Sequence, residues 1–144
     1  MAPLNSVAPP GQFIRAWRRI VGLARNPVIS IIDDDASVRA ALGSLVRSLG
    51  YTAHTFESAE SFLDSRDVTE TSCIVTDIQM PGMSGLDLQS RLQAAGSAIP
   101  TIFITAFPEE HLRARAEAGG AIGFLAKPFD GQAMVRLLMS AVGS

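Results

Sequence analysis

From Val28 onward, short apolar runs rich in β-branched residues alternate with stretches whose apolar positions follow a helical period. Val28 to Ile32 is a strand pattern that ends abruptly in three aspartates, Asp33, Asp34 and Asp35. Val38, Ala41, Leu42, Leu45, Val46 and Leu49 then fall on one face of an α-helix, and Gly50 closes it. Tyr51 to Phe56 reads as a second strand, Ser58 to Asp64 as a short helix, and Ser65 to Ser72 as a polar loop. Cys73 to Thr76 is a third strand, again ending on an aspartate, Asp77. Ser84 with Asp87 three residues on is a capping-box start for a helix through Ala95. Thr101 to Ile104 predicts a fourth strand ending at Thr105, and Glu109 to Ala118 a weakly amphipathic helix stopped by Gly119 and Gly120. Ile122 to Leu125 predicts a fifth strand leading to Lys127 and Pro128. Asp130 caps a last helix that turns Met134, Leu137, Leu138 and Ala141 inward.

Strands alternating with helices in this way predict an α/β fold, a doubly wound five-stranded parallel sheet with five helices. Continuous apolar runs such as Val28–Ile32 and Ile102–Ile104 suit strands covered on both faces. With 144 residues, 47% hydrophobic and 18% charged, the chain has material for one domain with a full core. No apolar run approaches the ~18 residues of a membrane span.

A net charge of -2 gives no reason to expect nucleic acid as a partner. The charge is uneven, however: Arg15, Arg18, Arg19 and Arg25 lie in a first segment, residues 1–32, that holds no acid. Cys73 is the single cysteine, so no internal disulfide can form, which fits a reducing cytoplasm. Its apolar neighbours mark it as core filling.

The polar residues with chemistry in them collect at strand ends. Asp33 and Asp34 follow strand one, Asp77 strand three, Thr105 strand four and Lys127 strand five. In a doubly wound sheet the carboxyl ends of the strands form one rim, where such folds bind ligands. Three carboxylates crowded there would repel one another unless a cation sat among them. Oxygen donors without His or Cys favour a hard ion, Mg2+ before Ca2+ or Zn2+. A carboxylate held by such an ion is a nucleophile suited to phosphorus, giving an acyl phosphate. The charge of a transferring phosphoryl group calls for a metal, a cation and a hydroxyl donor, and Mg2+, Lys127 and Thr105 would supply them. Taken singly, a strand-end Asp is a helix cap, a Thr is β filling and a Lys is solvated; it is their joint placement that argues for a site.

The strings Ile31-Ile32-Asp33-Asp34-Asp35, Thr76-Asp77-Ile78-Gln79-Met80-Pro81-Gly82-Met83-Ser84-Gly85, Ile104-Thr105-Ala106 and Lys127-Pro128-Phe129 resemble the four signatures of response-regulator receiver domains. The resemblance runs from residue 28 to about 142, in the family's order and spacing. It implies the flavodoxin-like receiver fold with strand order 2-1-3-4-5. It also implies a phosphoacceptor at Asp77, and Mg2+ ligands in Asp34, Asp77 and the backbone carbonyl of Gln79, with Asp33 reaching the ion directly or through water. Thr105 and Lys127 would contact the phosphoryl oxygens, and Phe124 matches the aromatic switch position paired with Thr105. The Lys127–Pro128 bond is expected cis, as in relatives. Asp35 is assigned to capping the first helix, and Met80, Pro81 and Gly82 to shaping the loop that presents the Gln79 carbonyl. Partners implied are a cognate histidine kinase or phosphotransfer protein, a downstream protein target, and a second copy through the face of the fourth helix, fifth strand and last helix. Catalysis would extend no further than the protein's own phosphorylation and dephosphorylation.

Other readings stay open on the sequence. A haloacid-dehalogenase-type phosphatase could use Asp33 as nucleophile and Asp35 as acid, but only Asp130 follows Lys127 to hold its metal, and the Asp77 loop would have no role. A flavodoxin-like flavin binder needs a Ser-, Thr- and Gly-rich phosphate loop where three aspartates stand. A receiver could also bind partners without phosphorylation, or act as a phosphate sink or phosphorelay intermediate. No output domain is readable after the last helix.

Residues 1–27 read as an N-terminal extension and 28–144 as the receiver domain. Residues 1–11 are rich in Pro, Ala and Ser, which suggests a disordered start. Phe13, Trp17, Ile20 or Val21, and Ala24 could line one helical face with the arginines mostly elsewhere, a pattern able to lie on an anionic membrane or a partner. A frayed extension, or translated sequence upstream of the true start, is the preferred reading of it.

Overall fold

The computed structural model describes residues 26–143. The expectations for residues 1–25, including the basic amphipathic face, lie outside the described residues. Five strands and five helices alternate: β1 (Val28–Ile32), α1 (Ala36–Ser48), β2 (Thr52–Phe56), α2 (Ala59–Asp64), β3 (Cys73–Asp77), α3 (Gly85–Ala94), β4 (Thr101–Thr105), α4 (Glu110–Ala118), β5 (Gly123–Ala126) and α5 (Gly131–Val142). All strand pairs are parallel, in the order β2-β1-β3-β4-β5.

The three inner strands are buried along their whole length, which is why their sequences are apolar without alternation. Their two faces serve different layers. Ile29, Ile31, Cys73, Val75, Ile102 and Ile104 pack with Leu42 and Val46 of α1 and Met134 and Leu138 of α5. On the other face Ile32 and Ile74 meet Phe62, Leu88 and Leu92, while Phe103 meets Ile78, Leu86 and Ala116, with Phe124 alongside. Neighbouring residues of one strand therefore belong to opposite cores, as the two-residue period demands.

The elements start where their caps stand. Asp35 accepts from the Ser37 N–H, Ser58 from Ser61, and Asp130 from Gln132. Ser84 and Asp87 form the reciprocal capping box that the sequence predicts. Three details differ from the sequence reading. The polar loop after α2 contains a 3-10 turn, Val68–Glu70, because Asp67 O accepts from both Glu70 N–H and the Thr71 hydroxyl. Ala41 is exposed, lining a groove with Ser37, Val38, Lys127, Pro128 and Phe129, and the buried residues on that turn are Leu42 and Gly43. The fifth strand begins at Gly123 rather than Ile122, which is 37% exposed; a Cβ at 123 would stand 2.4 Å from Leu137 Cδ1, so a larger residue there would have to push the Leu137 side chain of α5 aside.

One further glycine positions the rim. A Cβ on Gly85 would lie 2.3 Å from the Asp77 carbonyl oxygen, so α3 can start against the end of β3 only because residue 85 has no side chain. Its N–H donates to Ile78 O at 2.9 Å and closes the loop that follows Asp77.

Candidate functional site

The strand ends deliver Asp33, Asp34, Asp77, Thr105 and Lys127 to one rim. Asp33 is fully buried, Asp77 is 6% exposed and Thr105 is fully buried, whereas Asp34 is exposed. Asp33 is held from several sides. Its N–H donates to Phe56 O (3.1 Å), its Oδ1 accepts from the Asp35 N–H (2.9 Å), and its carbonyl accepts from Arg39 Nη1 (2.7 Å). Asp35 turns away to cap α1, taking both the N–H (2.8 Å) and the hydroxyl (2.7 Å) of Ser37. Those two bonds hold its carboxyl below the ordinary carboxylate value. This geometry is that of a cap.

Lys127 joins strands far apart in sequence. Its Nζ lies 2.8 Å from Asp33 Oδ2 and 3.1 Å from Asp77 Oδ2, and its own N–H donates to Thr105 O at 2.8 Å. The following Lys127–Pro128 bond is cis, as expected. Burial pushes the Asp77 carboxyl above its ordinary range; the charge of Asp33 adds to this and Lys127 opposes it. For Lys127 burial is the largest influence and acts downward, but the hydrogen bonds and charges of Asp33 and Asp77 outweigh it and leave the ammonium form favoured.

One oxygen from each of Asp33, Asp34 and Asp77 lies within 4.8 Å of the others. A single ammonium against three carboxylates leaves negative charge on the rim. The donor set is carboxylate oxygen alone, two of the three residues being buried, which suits a small hard divalent cation.

Thr105 also faces this rim. Its hydroxyl donates to Gln79 Oε1 at 2.6 Å and accepts from the Phe107 N–H at 3.0 Å. Gln79 in turn donates its N–H to Asp77 Oδ1 at 3.3 Å. Phe124 stands beside Phe103 in the sheet register, while Thr105 pairs with Ala126, so the ring lies two residues down the strand from the rim. It is half-buried, with the Arg113 guanidinium of α4 5.0 Å from its centroid.

Three contributors go beyond what the sequence predicts. Gln79 takes part through its side-chain amide as well as its backbone. Glu60 of α2 accepts from the Met83 N–H at 2.8 Å, bracing the loop after Asp77. Arg39 supports Asp33 from α1. Gln79 and Glu60 act on segments brought close by the fold, whereas Arg39 reaches back six residues to the end of β1. Cys73 lies in the core, where burial raises its thiol to about 12.

Comparison with known proteins identifies the family and the fold. The family model described as the response regulator receiver domain matches residues 29–139. Response regulator protein TodT of Pseudomonas putida is 39% identical over 118 residues, which is 82% of this chain and 52% of TodT. Transcriptional regulatory protein FixJ of Bradyrhizobium diazoefficiens is 35% identical over 114 residues, 79% of this chain and 56% of FixJ. The chain thus spans about half the length of the curated relatives it matches. Among solved structures, the response regulator StyR superposes with a TM-score of 0.75 at 41% identity, covering 82% of this chain and 60% of StyR. A receiver protein from Burkholderia phymatum gives 0.71 at 41% identity, covering 81% of this chain and 95% of that one. No helix among the described residues is long and apolar enough to cross a membrane. With its sheet order, its rim of aspartates and these relatives in agreement, the chain belongs to the response-regulator receiver domain family.

Proposed function

We propose that the protein is the phosphoacceptor of a two-component signalling system, taking a phosphoryl group onto Asp77 in a Mg2+-dependent transfer. The observation that carries this is the shared engagement of Lys127 Nζ with Asp33 and Asp77 beside a third carboxylate, Asp34. Asp33, Asp34, Asp77 and the Gln79 carbonyl would hold the ion. When bound, Mg2+ supplies positive charge to the carboxylates and to the oxygens of an incoming phosphoryl group.

The chain's own residues account for the remainder. A carboxylate oxygen of Asp77 forms the new P–O bond as the P–N bond of a phosphohistidine breaks, and the departing imidazole keeps the electron pair and takes a proton. Lys127, already poised on Asp77, neutralises charge on the phosphoryl oxygens, and the Thr105 hydroxyl donates to one of them. Hydrolysis reverses the state: water adds to phosphorus, the P–O bond to Asp77 breaks, and inorganic phosphate leaves. The donor is a histidine kinase or a phosphotransfer protein, and the protein works in the cytoplasm.

Output is proposed to run through Thr105 and Phe124. As Thr105 turns to the phosphoryl group, the Phe124 ring moves into the space behind it and α4 shifts. The α4–β5–α5 face then meets a protein target or a second copy of the chain. Phosphotransfer profiling against the histidine kinases of the source organism tests the assignment. Rapid labelling by one kinase is expected, and transfer that also runs back or onward would favour a sink or relay intermediate. Absence of labelling by every kinase and by acetyl phosphate would overturn the phosphoacceptor reading.

A further inference from the structure

The Thr105 hydroxyl is a single proton with two candidates for it. Thr105 is fully buried, and Oγ1 already accepts from the Phe107 N–H, so its own hydrogen goes to Gln79 Oε1 at 2.6 Å. Gln79 stands two residues beyond Asp77 and donates its backbone N–H to Asp77 Oδ1. One residue is therefore tied to both the acceptor carboxylate and the hydroxyl that would report on it.

We propose that the Gln79 side-chain amide is a positioning group that holds Thr105 in its resting rotamer, so that occupancy of Asp77 is read against this hydrogen bond. The inference rests on the reading of Asp77 as phosphoacceptor and adds a determinant of how firmly the resting state is held. A phosphoryl group offers only acceptor oxygens, so it competes with Gln79 Oε1 for the same proton. A charged oxygen is the stronger acceptor and wins. The neutral bond that must be given up sets the opposing bias. Removing the competing acceptor should then tighten binding of a phosphoryl mimic by roughly two- to tenfold, the worth of one neutral hydrogen bond.

The test is a double-mutant cycle read by titration with beryllofluoride in the presence of Mg2+. Gln79→Met keeps the length of the side chain and removes the acceptor, and Thr105→Val keeps the shape and removes the hydroxyl. Tighter binding is expected when Gln79→Met is made with Thr105 present, and no change when it is made with Thr105→Val. An equal change in both backgrounds, or none with Thr105 present, overturns the inference. A second measurement needs only Gln79→Met and no ligand. Three-bond couplings to the Thr105 methyl should report one χ1 rotamer in the unsubstituted protein and averaging in the variant; a single unaveraged rotamer in both overturns the inference. If the unsubstituted chain does not bind beryllofluoride with Mg2+, the phosphoacceptor reading fails, while the couplings still decide whether Gln79 holds Thr105.

Discussion

Lys127 Nζ lies 3.1 Å from Asp77 Oδ2 across 50 residues of sequence, and it reaches Asp77 while also bonded to Asp33. The ammonium offers three protons, enough for both carboxylates and for a phosphoryl oxygen. Lys127 thus offsets the repulsion between two buried acids at rest and is already in place when a phosphoryl group arrives.

Removing that cation should be costly at rest. Lys127→Met leaves Asp33, with no exposed surface, without its ion-pair partner. The expected loss is on the order of 2–3 kcal/mol by urea unfolding, below the ~3–5 kcal/mol of a fully buried pair because Lys127 keeps some contact with water. Added Mg2+ should recover part of the loss. A variant as stable as the parent without Mg2+ would mean that the pair contributes nothing to the fold.

Labelling should follow Asp77 and not Asp35. With acetyl phosphate and Mg2+, Asp77→Asn should abolish hydroxylamine-labile phosphate. Asp35→Asn should keep most of it, because Asp35 caps α1 through Ser37. Chelation of Mg2+ should stop labelling of the unsubstituted protein. Undiminished label on Asp77→Asn would place the acceptor elsewhere.

Deletion of residues 1–25 should leave the thermal midpoint nearly unchanged. The cut stops short of Pro27, whose carbonyl accepts from the Thr52 N–H at 2.9 Å and starts the β1–β2 pairing. A loss of several kcal/mol on deletion would show that Phe13 and Trp17 pack onto the domain, since burying a large side chain contributes ~1.5–3 kcal/mol.

Beryllofluoride with Mg2+ should produce NMR shifts concentrated from Thr105 to Phe129, beyond the loops of Asp33, Asp34 and Asp77. Thr105→Ala should narrow their spread while Asp77 still takes label at a reduced rate. The Arg113 guanidinium over the Phe124 ring links α4 to the aromatic, so Arg113 resonances should move with it. Shifts confined to the aspartate loops would remove the switch and favour a phosphate sink.

Cys73 contributes to the loss of stability at alkaline pH, alongside Lys127, whose ammonium form is favoured in the fold. Burial raises its thiol to about 12, above the 9.0 of a free group, because a thiolate there would be desolvated. A raised folded value means that this contribution to stability is fully present below the unfolded pKa and is lost as pH rises through the folded one. Stability should therefore fall between about pH 9 and 12, and Cys73→Ala should lessen the slope. Native protein should resist iodoacetamide at pH 8 and react once unfolded in urea. Rapid alkylation of the native protein would show the thiol to be accessible.

The alternation of strand and helix patterns, and the residue type at each strand end, already determined the layering of this protein and the membership of its rim. That information is local: a short β-branched apolar run marks a strand covered on both faces, a helical period marks a helix, and a polar residue ending an apolar run falls at the carboxyl end of its strand. Element boundaries differ from the local pattern by a residue or so, as at Ile122, which is exposed and lies just before β5 starts at Gly123. Only the tertiary structure decided which groups share protons. Lys127 bonds Asp33 and Asp77 together, Glu60 braces the Met83 N–H from α2, and Thr105 gives its proton to Gln79. Each of these partners lies at least 23 residues away in sequence. Side-chain hydrogen bonds depend on rotamers, and rotamers are set by what packs around them once the strands are in register, which no local period encodes.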